Sequence, residues 1–197
     1  MKKIFISTVL MTTLLLTACI HVPYAQRQQY LLHVAKPAKV KIARDTIEIP
    51  RTTIAAPFSD LTFVYRTSDT QYLSDFYNMF MAPPAENIHQ VMVQYMTSMG
   101  LFHQVETNHF YLQPRYILTS HVISLYADYR NSNRPMAVMC IYFALLASHK
   151  GVYRPVFTIT LSQATPLMRK DSDSLVKAWN VDLQRILKQL SYRLQRI

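Results

Sequence analysis

Glycine is nearly absent: Gly100 and Gly151 are the only two in a chain of 197 residues. A chain so poor in glycine cannot build a glycine-rich phosphate loop, a dinucleotide fingerprint or a G-x-S-x-G nucleophile elbow, which all need closely spaced glycines. Acidic residues are also scarce, eight Asp and three Glu, and none stand in a recognisable acid–base spacing. Seven histidines are scattered without H-E-x-x-H spacing, and His103 and His109 have no acidic or thiol ligand motif beside them. Two cysteines, Cys19 and Cys140, allow at most one disulfide. No apolar run reaches the roughly 20 residues of a membrane-spanning helix. The expectation is a non-catalytic protein without metal or cofactor.

What is present begins at the amino terminus. Lys2 and Lys3 precede Ile4–Leu16, an uncharged and mostly apolar run, and Leu16-Thr17-Ala18-Cys19 follows. Small residues at 17 and 18 give a peptidase access to the bond before Cys19. The pattern resembles the bacterial lipobox, in which the cysteine sulfur takes a diacylglycerol and becomes residue one of the mature protein. Residues 1–18 are then a signal peptide, 19–29 a lipidated tether, and 30–197 a single domain. Acyl chains at Cys19 tie the protein to a phospholipid membrane without spanning it. Cys140, in an apolar stretch and without a partner, is expected in the core.

Removing 18 residues leaves 179, enough for one core. Half of the full sequence is apolar, which excludes a disordered or low-complexity chain. The remaining 19 Lys and Arg exceed 11 Asp and Glu, giving a formal charge of +8. These cations are dispersed, densest at Lys36, Lys39 and Lys41, and suit a solvated surface or contact with anionic headgroups. Export removes nucleic acid as a partner.

Periodicity places the elements. Tyr30–Val34, Ile42–Ile49 and Leu61–Arg66 read as short strands, with Gln71–Leu73 a short hairpin partner. After Pro83-Pro84, apolar Ile88, Val91, Met92, Tyr95, Met96 and Met99 recur on one helical face, and Gly100 stands at the C-cap. Phe102–Val105 is a short strand. Tyr116–Tyr129, Met136–Ala147 and Val152–Ser162 form an antiparallel meander, its middle strand apolar enough to be covered on both faces. A final helix opens on Asp171–Ser174 and carries Leu175, Trp179, Leu183, Ile186, Leu187, Leu190 and Leu194 on one stripe. The implied fold is α/β (α+β-like): a mixed, largely antiparallel sheet of five or more strands flanked by two amphipathic helices.

The order of several segments carries a resemblance. Ile47-Glu48-Ile49-Pro50-Arg51, Leu61–Arg66 and Tyr77-Asn78-Met79-Phe80-Met81-Ala82-Pro83-Pro84 are followed by the helix and Gly100–Val105. This order resembles the ABC-type transport auxiliary lipoproteins, which accompany lipid-transport systems with mammalian-cell-entry (MCE) domains in Gram-negative envelopes. That family usually has tryptophan where this chain has Phe80, which can fill the same apolar socket without the indole donor. The resemblance implies an MCE-domain periplasmic protein and its ABC transporter as partners, and is compatible with a homo-oligomer. Ile20, rather than aspartate, after the lipidated cysteine implies the periplasmic face of the outer membrane. Phe76, Tyr77, Phe80 and Met81 form the candidate partner-contacting patch, beside the plainer reading that they fill the core. The alternative function is a structural lipoprotein that assembles an outer-membrane complex or secretion machine without moving lipid.

Overall fold

Thirteen residues of alternating burial make the backbone of the sheet. Leu118, Ser120, Val122, Leu125 and Ala127 are buried, and most of the residues between them are half-exposed. This is the period-two pattern of a strand with one face on a core. In the computed structural model, which describes residues 26–40, 44–107 and 113–197, this strand is β7 (Tyr116–Asp128). On one side it pairs antiparallel with β8 (Met136–His149), which pairs antiparallel with β9 (Val152–Pro166). Lys150 and Gly151 both take positive φ, 50° and 80°, between paired His149 and Val152. That is the two-residue turn whose twist suits a hairpin. The expected meander is therefore present.

The other edge of β7 is shared by three short parallel strands. β2 (Ile47–Glu48) pairs at Tyr116, β3 (Thr53–Ile54) at His121 and β4 (Thr62–Arg66) at Ala127. The chain between 47 and 66 thus walks along β7 from its start to its end. β5 (Tyr72–Phe80) runs antiparallel to β4, β1 (Gln28–Tyr30) lies parallel to β5, and β6 (Val105–Glu106) parallel to β2. The described residues hold nine strands in one mixed sheet.

Two helices cover one face of it. α1 (Pro84–Met99) has Pro84 in its first turn, Glu86 beside its positive end, and a left-handed Gly100 (φ 68°) as its cap. Ile88, Met92, Met96 and Met99 are buried. α2 (Ser172–Leu194) starts where the Asp171 carboxylate accepts the Ser174 N–H at 2.8 Å. Leu175, Trp179, Leu183, Ile186, Leu187, Leu190 and Leu194 are fully buried and share a single cluster with α1 and the sheet. The α/β fold and both helices follow the sequence reading.

Some boundaries differ from expectation. The first strand ends at Tyr30, because Leu32 finds its backbone partners elsewhere: Asn87 on α1 accepts its N–H at 2.6 Å and donates to its carbonyl at 3.2 Å. The strand expected over 42–49 is reduced to Ile47–Glu48, with residues 41–43 outside the described set. The strand expected at Phe102–Val105 is Val105–Glu106, and Phe102 makes only an isolated parallel bridge to Arg44. β8 is covered on one face only: Ala137, Met139, Ile141, Phe143 and Leu145 are buried, while Val138, Cys140 and Ala144 are half-exposed and Tyr142 is exposed. Cys140 is consequently not in the core. It sits on the open face, in register with Ser124 and Ser162, and partial burial raises its thiol pKa.

Candidate functional site

β5 carries a local irregularity that its neighbours do not. Val64 pairs with Ser74 and Thr62 with Met79, so Phe63 alone on β4 faces four residues, Asp75 to Asn78, on β5. A bulge of four residues against one pushes the extra residues out of the sheet. Asp75 organises it. Its Oδ1 accepts the N–H groups of Tyr77 and Asn78 at 2.8 and 3.1 Å, and its Oδ2 accepts the Asn78 side-chain amide at 2.8 Å and the Tyr65 hydroxyl at 2.5 Å. Burial acts to raise the Asp75 pKa, but the bonds from Tyr65, Asn78 and the two amides outweigh it, and the carboxyl stays below its usual range. Tyr65 shifts the opposite way: burial and then Asp75 raise the pKa of its hydroxyl.

The bulge displays Phe76 and Tyr77, 62 % and 50 % exposed, with rings edge-on at 5.3 Å. Met81, at the end of the strand, is 62 % exposed, and Leu31 and Leu73 are also open. The guanidinium of Arg27 lies 4.4 Å from the Phe76 ring centre, a cation–π contact. Because β1 pairs with Asn78, Met79 and Phe80, the chain enters the fold beside this patch. Phe80 differs from its neighbours. It is 2 % exposed, 4.8 Å from Phe63 and 5.5 Å from Trp179, so its ring belongs to the interior. The four residues singled out in the sequence thus divide into three at the surface and one in the core. Cys19 lies outside the described residues.

Sequence reading missed Asp75 and Arg27. The signal for Asp75 was there in part: an aspartate two and three residues before the amides it binds is an Asx-type turn former, here inside a strand-like run. Arg27 had none, since its place depends on the parallel pairing of β1.

Elsewhere, a cleft of about 570 Å³ lies at the far end of β4 and β7 among Thr67, Asp69, Asp128, Arg130 and Arg134. Arg130 is already paired there, 2.8 Å from Asp69 and 2.7 Å from Asp128. Among the described residues no three His, Cys, Asp or Glu could hold a metal, and no helix is long and apolar enough to cross a membrane.

This arrangement defines a class: a mixed-sheet α/β domain with both helices on one face, an open opposite face, and an aromatic bulge where the chain enters. No protein-family model and no curated protein sequence matches the chain. Solved structures share its fold. A Xanthomonas campestris protein, XCC0632, assigned to the family DUF330, is similar over 83 % of this chain and 90 % of its own, at 16 % identity and a TM-score of 0.69. An uncharacterized protein matches over 84 % and 99 %, at 13 % identity and a TM-score of 0.63. The hypothetical protein CT253 of Chlamydia trachomatis matches over 77 % and 96 %, at 8 % identity and a TM-score of 0.55.

Proposed function

We propose that this chain is a non-catalytic, lipid-anchored accessory protein of an envelope lipid-transport assembly, held at the periplasmic face of the outer membrane. The observation that carries the reading is the shortness of the link between Cys19 and the fold: β1 begins at Gln28, nine residues later. A domain on so short a tether works at the membrane surface rather than across the periplasm. The resemblance in segment order to the ABC-type transport auxiliary lipoproteins supports an MCE-domain protein and its ABC transporter as the partners. Energy then comes from that separate transporter, and this chain supplies the docking point.

Deleting the gene, together with any paralogue, is the test. Sensitivity to detergents and a disturbed envelope phospholipid balance are expected, with the MCE-domain protein recovered by crosslinking to the wild-type chain in intact cells. Unchanged permeability and lipid composition would overturn the transport role. Crosslinks confined to a secretion or assembly complex would favour the structural alternative.

A further inference from the structure

We propose that the β5 bulge is a membrane-facing element, in which Phe76 and Tyr77, with Met81 beside them, rest in the interfacial region of a phospholipid bilayer next to the lipid anchor. The proposal rests on Cys19 being the anchor, and adds to it the face of the domain that meets the lipid.

Three observations carry it. The first is reach. Arg27 touches Phe76, and Cys19 precedes Arg27 by eight residues. Fully extended, eight residues span at most about 26–29 Å. The bulge therefore stays within about 30 Å of the anchor, about the length of one small domain. The second is the chemistry of the tip. Two neighbouring aromatics and a methionine are 50–62 % exposed, where single exposed apolar side chains are the ordinary case. Tyrosine, with an apolar body and a polar hydroxyl, suits the headgroup level of a bilayer. The third is charge. The Asp75 carboxylate is turned inward onto four donors, so the tip itself shows no outward anion. Arg27 stacks on Phe76, where it can reach lipid phosphate, while Lys170 and Asp171 line the cleft they share with Asp75 and Asn78. Charges of both signs beside the tip favour a zwitterionic surface over a strongly anionic one.

Trp179 is the sole tryptophan and is fully buried, which makes emission from an introduced tryptophan readable against it. The full lipidated chain, carrying Phe76→Trp, is reconstituted into phosphatidylcholine vesicles with acyl chains brominated near the headgroup. A second variant, Val152→Trp, places the reporter on an exposed residue of the β8–β9 turn, at the opposite end of β7. The expected result is a blue shift and loss of at least half the added emission for Phe76→Trp, with Val152→Trp unaffected. Equal and weak quenching of both, in chains that co-float with the vesicles, would overturn the proposal and leave the anchor standing. A blue shift of Phe76→Trp that needs a protein partner and no bromine quenching would assign the tip to that partner instead. Failure of the chain to co-float at all would sink the anchor, and this proposal with it.

Discussion

Asp182 is a carboxyl group placed where carboxyl groups rarely go. It is fully buried on α2. One oxygen accepts the Thr165 hydroxyl at 2.5 Å, and the other finds no partner among the described residues. Burial pushes its pKa from 3.8 up to about 6, against the opposing pull of Thr165 and Arg185. Between those values the folded protein keeps a proton that the unfolded chain has released. Stability contributed by this site therefore falls as pH rises from about 4 to 6 and is level above that. A shift of this size corresponds to about 3 kcal/mol at most. Asp182→Asn should be level with wild type near pH 4 and gain on it as pH rises, read by urea unfolding at pH 4 and pH 7. A difference between the two proteins that does not change with pH would show that the site is not protonated in the fold. The same residue scale explains the candidate patch: one inward carboxylate, Asp75, decides that Phe76 and Tyr77 face outward.

At the scale of elements, α2 is the seam on which the domain closes. Trp179 sits four residues after Leu175 and four before Leu183, with its ring 5.1 Å from Phe63 and 5.5 Å from Phe80. These contacts join the helix to β4 and to the end of β5, so the helix seats the strand that carries the bulge. Truncating a buried tryptophan costs about 3–5 kcal/mol, a large fraction of a domain's stability. Trp179→Ala should therefore lower the melting temperature and cellular abundance together. Lys188→Ala, on the exposed side of the same helix, should change stability by no more than about 0.5 kcal/mol. A Trp179→Ala protein that melts like wild type but no longer crosslinks to its partners would move the indole from the core to an interface. The helices were legible beforehand because a 3.6-residue stripe is a local pattern that the core merely receives. Gly100 was legible for a related reason: a left-handed C-cap (φ 68°) strains any side chain with a Cβ, and glycine avoids that.

For the whole molecule, the proposed anchor at Cys19 is what would set where the domain acts. Cys19→Ala should leave an uncleaved or soluble exported form, because two or three acyl chains give strong attachment where one gives only marginal binding. Fractionation of cells expressing the variant reads this directly. A Cys19→Ala protein that still follows the outer membrane like wild type would end the lipoprotein reading. The amino-acid sequence by itself determined the two amphipathic helices, their caps and the long antiparallel meander, since each is written in neighbouring residues with a fixed period. Tertiary structure alone decided the remainder. β2 and β3 are two residues long, too short to show any period, and are strands only because β7, and for β2 also β6, offers them hydrogen bonds. Met136–His149 is apolar on both faces in composition, yet only one face is covered, because both helices pack on the same side. Phe76, Tyr77 and Phe80 are alike as residues, and three extra residues opposite Phe63 send two outward and one inward. Pairing between distant segments sets that register, and such pairing leaves no mark on the local sequence.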